Sequence, residues 1–112
     1  MIDSPGAVIT ELASLRAQSE KGVNVLAEAE IKYVNLTLEA ERQEFISFLD
    51  SQGTVADRQA MAKLASIESR QAAELAKVEV TRIKTKLKQL SEAMFSVQTS
   101  ARMVELEWRV GS

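Results

Sequence analysis

The chain has no cysteine and no histidine. The first absence excludes disulfides, thiolate metal sites and cysteine nucleophiles; the second removes the commonest general base and transition-metal ligand. Enzyme chemistry loses its usual groups, so the sequence predicts a non-enzymatic protein with no catalytic residues, no cofactor and no metal. No apolar run approaches the ~18 residues a membrane span would need. The N-terminus, with Asp3 and no basic flank, lacks the layout of a signal peptide, so no membrane partner and a cytoplasmic location are expected. Proline occurs once and glycine four times, which leaves long stretches without a helix breaker.

What is present is helix-forming. With 112 residues, 46% of them hydrophobic and 27% charged, the composition matches one folded domain, and residues 1–112 read as a single helical domain. Ser4 before Pro5 supplies an N-cap followed by proline at the first helical position, so helix 1 is predicted over about residues 5–50. The next punctuation is Asp50-Ser51-Gln52-Gly53-Thr54. Gly53 suits a left-handed helix terminus and Thr54 can cap the following helix, placing the turn at residues 51–54. From Val55 to about Arg109 there is neither glycine nor proline, and residues of high helix propensity dominate. One helix of roughly 80 Å is predicted over about 55–109. Gly22, which costs about 1 kcal/mol relative to alanine inside a helix, is the candidate point for a kink in helix 1.

The strongest pattern is the alternation of four- and three-residue steps through Ile83, Leu87, Leu90, Met94, Val97, Ala101, Val104 and Trp108. It is the a/d seam of a coiled coil, read here as an oligomer seam. Earlier in helix 2 there are two apolar faces, large at Leu64, Ile67, Leu75 and Val78, small at Ala62, Ala65, Ala72, Ala73 and Ala76. Helix 1 likewise carries Ile31, Val34, Leu38, Phe45 and Leu49 on one side and Leu26, Ala29, Tyr33, Leu36 and Ala40 on another. A lone two-helix hairpin buries one face of each helix, and the second would leave an apolar patch larger than soluble monomers usually expose. The expectation is therefore an all-α, coiled-coil-like antiparallel hairpin that partners itself in a dimer or larger helical bundle.

Charge divides unevenly, four basic and nine acidic side chains in residues 1–53 against ten and seven in residues 54–112. Opposite-sign halves favour a chain doubled back on itself. Folding about Gln52 pairs residues whose numbers sum to roughly 105, which sets Phe45 near Ala60 and Glu20 and Glu28 beside the basic stretch 77–88; exposed pairs of this kind contribute only ~0–1 kcal/mol each.

One feature points to a partner surface. On a helical projection Lys63, Arg70, Lys77, Lys84 and Lys88 fall within about 60° of one another, with Arg102 and Arg109 nearly in line. Such a line could follow a nucleic-acid backbone without a base-reading motif, or could receive a protein partner. A bundle helix also needs a solvated face, for which lysine and arginine are ordinary fillers. Phe95 and Leu106 share the basic face; exposed, they would mark a partner surface. Glu28 with Glu30, and Glu39 with Glu41 and Glu44, read as solvated acidic surface, because carboxylate-bridged metal sites in bundles pair glutamate with histidine. Trp108, closing the heptad seam, reads as a core or interface anchor.

The stretch from Gly53-Thr54-Val55-Ala56-Asp57-Arg58 through Ala76-Lys77-Val78-Glu79-Val80 to Ser96-Val97-Gln98-Thr99-Ser100-Ala101-Arg102 resembles small helical proteins of bacteriophages and prophages encoded among recombination and replication functions. The likeness covers residues 53–104. It implies a phage accessory protein acting with DNA-processing machinery in the host cytoplasm, and it assigns no site residues. Inhibition of a host protein, or assembly of a virion part, are the other roles open to a small phage helical protein.

Overall fold

In a computed structural model that describes residues 4–111, the chain is all α-helix, with α1 at Pro5–Asp50, α2 at Val55–Ala65 and α3 at Ile67–Val110. Asp3, on which the reading of the N-terminus drew, lies outside the described residues. The helix starts follow from capping. The Ser4 hydroxyl accepts the Ala7 N–H at 3.2 Å, and the Thr54 hydroxyl accepts the Asp57 N–H at 3.2 Å. Gly53, in the turn between α1 and α2, takes φ +117°, a conformation that side-chain-bearing residues rarely adopt.

Two compact units are formed, one by residues up to Val25 together with those from Ile83 on, the other by Leu26–Arg82. The second is a helical hairpin closed by the turn at 51–54. Its seam is built from small residues: Ala40, Ala62, Ser66, Ala73, Ala76 and Val80 are all buried. Small side chains let two helix backbones approach closely, so dispersion contacts between backbones replace the burial of large groups. A polar link crosses the seam where the Ser69 hydroxyl donates to Gln43 Oε1 at 2.6 Å, and the Gln43 amide in turn donates to Glu39 at 3.2 Å.

Near the turn, Arg58 donates from Nε and Nη2 to the Phe48 carbonyl at 3.1 and 2.9 Å. Its guanidinium also lies 4.3 Å from the centre of the Phe48 ring. Phe48 belongs to the last turn of α1, where carbonyls lack intrahelical partners. Arg58 satisfies one of them and fixes where α2 leaves the turn.

The first unit pairs the start of α1 with the end of α3, antiparallel. Here the seam is large: Val8, Leu15 and Val97 are buried, and Leu12, Leu90, Ala93, Met94 and Ala101 pack against them. Gly22 has a local purpose in this unit. A Cβ at that position would stand 2.5 Å from Leu87 Cδ2, so its bare backbone makes the space that Leu87 occupies. The helix does not break there: α1 runs through Gly22.

Three sequence expectations need correction. The single helix over 55–109 is two helices, because Ser66 leaves helical geometry at φ −98°, ψ 3°. Ser66 is fully buried, and its hydroxyl donates to the Lys63 carbonyl at 3.2 Å, stabilising the break from inside the seam. Secondly, contacts do not keep a constant numbering sum near 105. Phe48–Arg58 lies close to it, but Gln43–Ser69 and Gly22–Leu87 run four to seven higher. In the hairpin unit the shift occurs across the break at Ser66. Thirdly, neither Glu20 nor Glu28 forms an ion pair with a described cation; Arg42–Glu39, Arg82–Glu79 and Arg109–Glu105 each lie within one helix.

Candidate interaction surface

Helical periodicity decides which side chains each hairpin arm leaves outside. In α1 Ile31 stands two residues after Ala29 and two before Tyr33, which places it on the far side of the helix from both at about 100° per residue. Val34, Leu38, Phe45 and Leu49 follow on the same outer side. Ile31 is 61% exposed, Leu38 57% and Phe45 67%. On the other arm Leu64, Ile67 and Val78 face away from the small-residue seam, with Leu64 71% exposed, while Leu75, 64% exposed, borders a groove between the arms. The α2–α3 arm thus buries small side chains, α1 turns Leu26, Ala29, Tyr33, Leu36 and Ala40 inward, and each arm leaves a second apolar strip outside. The two faces were visible in the sequence; which one the hairpin would use was not.

The residues read as an oligomer seam are placed differently. Ile83, Leu87, Leu90, Met94, Val97 and Val104 are buried or half-buried, and Leu90, Met94 and Val97 are packed on α1 of the same chain. Those three residues thus contribute to an intramolecular seam. Trp108 falls outside it and is 61% exposed. At its level α1 is only beginning, and Trp108 instead walls an open cleft of about 520 Å³ with Pro5, Ile9 and Val104. Phe95 and Leu106, on the basic side of α3, are exposed.

The basic line stays at the surface. Lys63, Arg70, Lys77, Lys84 and Lys88 are all exposed. Lys63, Arg70, Lys77 and Lys84 recur every seven residues, so on α2 and α3 they keep a constant position beside the seam. Arg70 is engaged locally, donating from Nη2 to the Lys63 carbonyl at 2.7 Å, next to the break. Lys77, Lys84 and Lys88 make no ion pair with a described carboxylate. In the hairpin unit Glu41 and Glu44 line the same shallow cleft as Arg70, so an acidic flank of α1 lies beside that part of the line. On the other flank Lys32 and Glu79 line one groove between the two arms.

Sequence reasoning missed Arg58 and Ser66. Both act through contacts that no local pattern encodes: Arg58 reaches ten residues back, and Ser66 is chosen for its size and its hydroxyl at a buried bend. Among the described residues no helix is long and apolar enough to cross a membrane. No protein-family model, curated protein or solved structure matches the chain.

Proposed function

We propose that this chain is a non-enzymatic helical scaffold that works as an assembly, its copies joined through the outer faces of the hairpin unit. The observation that carries the proposal is the presence of two apolar faces on each arm: one is turned to the other arm, and a second strip of large apolar residues stays exposed. A strip of large apolar side chains on each arm exceeds what a monomer keeps in water without a partner. Burial of each such side chain is worth roughly 1.5–3 kcal/mol when complete. Light scattering at micromolar concentration tests the proposal. A mass of two or more chains is the expected outcome, and a clean 12.3 kDa monomer with native helicity would sink it.

The resemblance of residues 53–104 to small phage proteins gives the scaffold a setting, as an accessory factor beside DNA recombination or replication machinery. A second reading, direct contact of a nucleic-acid backbone, is favoured by Lys77, Lys84 and Lys88, which are exposed and outside every ion pair among described residues. Phosphate contacts of that kind require no base-reading motif, only spaced cations.

A further inference from the structure

The first unit holds a short groove of about 290 Å³ between α1 and α3. Gly22 and Val25 of α1 and Leu87 and Leu90 of α3 give it an apolar lining, and Lys21 and Lys86 add one cation from each helix. Its base depends on Gly22, whose bare backbone gives Leu87 the room to lie against α1. We infer that this groove binds a small amphipathic anion, a soluble molecule with one carboxylate, sulfonate or phosphate-ester head on an apolar body. The site lies within the first unit, so it goes beyond the scaffold reading and does not draw on the outer faces of the hairpin unit.

The charge that selects the head lies on the groove itself. No carboxylate lines it, whereas the clefts walled by Trp108, by Arg70 and by Lys32 each include a glutamate. Nor is either lysine neutralised along its own helix. The residues three and four positions away are Ala17, Gln18, Asn24 and Val25 around Lys21, and Arg82, Ile83, Gln89 and Leu90 around Lys86. Arg42, Arg82 and Arg109, by contrast, each pair with a glutamate at that spacing, and no described carboxylate pairs with Lys21 or Lys86. Two uncompensated ammonium groups on one cleft favour an anion there. The apolar lining selects the body. Covering Gly22, Val25, Leu87 and Leu90 removes apolar surface from water, a gain that a bare hydrated anion cannot supply. The volume sets the size, standing near the lower end of the ~300–1,000 Å³ of small-molecule sites, which suits one small ligand. A nucleic-acid backbone fits less well, because it follows a spaced row of cations and has no use for an apolar floor.

Two fluorescent probes with the same apolar body test head and body separately: anilinonaphthalene sulfonate, which carries a sulfonate, and phenylnaphthylamine, which does not. The expected result is tighter binding of the sulfonate by the wild type. The double variant Lys21→Gln, Lys86→Gln replaces two exposed side chains, so it keeps wild-type helicity by circular dichroism. It should weaken the sulfonate about tenfold and leave the neutral probe unchanged. The control Arg16→Gln, Lys32→Gln removes the same charge elsewhere on the surface and should change the sulfonate less than about twofold. Inorganic sulfate, compared with chloride at equal ionic strength, should not displace the probe. Equal sulfonate affinity in the wild type and the Lys21, Lys86 variant would overturn the site, as would an equal loss in both double variants. Tight binding of the neutral probe would overturn the role of the lysines, and displacement by inorganic sulfate would overturn the role of the apolar lining. The mass of the wild type bears on the scaffold reading alone, so either proposal can fail without the other.

Discussion

Arg58 does two things that a lysine could not do together. Its planar guanidinium delivers two N–H groups to one carbonyl and lies over an aromatic ring, while an ammonium would keep the charge and lose the fork. Arg58→Lys is expected to lower unfolding free energy by about 1 kcal/mol, and Arg58→Ala by about 1–2 kcal/mol, as read by urea denaturation. Equal stability of wild type and the lysine variant would mean that the fork adds nothing. Gly22 tests a different balance. Replacing glycine by alanine in a helix interior normally gains about 1 kcal/mol, but here the new methyl meets Leu87. Gly22→Ala is therefore expected to bring no gain in the wild type and to recover its gain in a Leu87→Ala background. A double-mutant cycle with coupling below ~0.5 kcal/mol would show that Leu87 simply swings aside.

Among the elements, the small-residue seam of the hairpin is the least tolerant of added volume. Ala76→Leu places an isobutyl group where two backbones approach, and overpacking of this kind lowers stability by about 1–3 kcal/mol. Thermal denaturation of the variant checks this, and an unchanged midpoint would mean that the arms are held apart by something other than the seam. The helices themselves were largely legible in the sequence. Pro5, Gly53 and Thr54 are local signals whose physics is complete within a few residues; the heptad steps from Ile83 to Val104 were also plain, but they do not say whether the facing helix belongs to the same chain. The hairpin unit was harder to read because both its faces have helical period. Periodicity says that Ala73 and Leu75 lie on different sides, and burial alone decides that alanine faces the partner arm. The break at Ser66 left no signal either, since serine is an ordinary helix residue until its surroundings select a bend. Of the candidate site, the basic line was visible in full, but Arg70's attachment to the Lys63 carbonyl depends on that unforeseen bend.

For the whole molecule, two surfaces compete for the role of functional face, and they respond to different perturbations. Apolar contacts are insensitive to moderate salt, whereas phosphate contacts weaken steeply between ~50 and ~200 mM because bound counterions are released. If the exposed lysines track a backbone, the triple variant Lys77→Glu, Lys84→Glu, Lys88→Glu is expected to lose DNA binding in a fluorescence anisotropy titration. Its helicity and mass should match the wild type, since substitutions on an exposed face usually shift stability by a few tenths of a kcal/mol. A wild type that fails to bind single- or double-stranded DNA even at ~50 mM salt would reduce the line to a solvated face.

The turn held by Gly53, Thr54 and Arg58 also governs how the chain finds its structure. Pairing within residues 26–82 can begin from a loop of a few residues, whereas pairing of the first 25 residues with those from 83 on encloses all of that segment. Closing the longer loop in an unfolded chain carries a larger entropic penalty, and an already zipped hairpin removes most of it. Topology therefore predicts an order of events in which the turn nucleates, the hairpin arms close, and the large-residue seam completes last. Thr54→Ala should consequently slow refolding in stopped-flow fluorescence or circular dichroism nearly in proportion to the stability it removes, whereas Leu90→Ala should mainly speed unfolding.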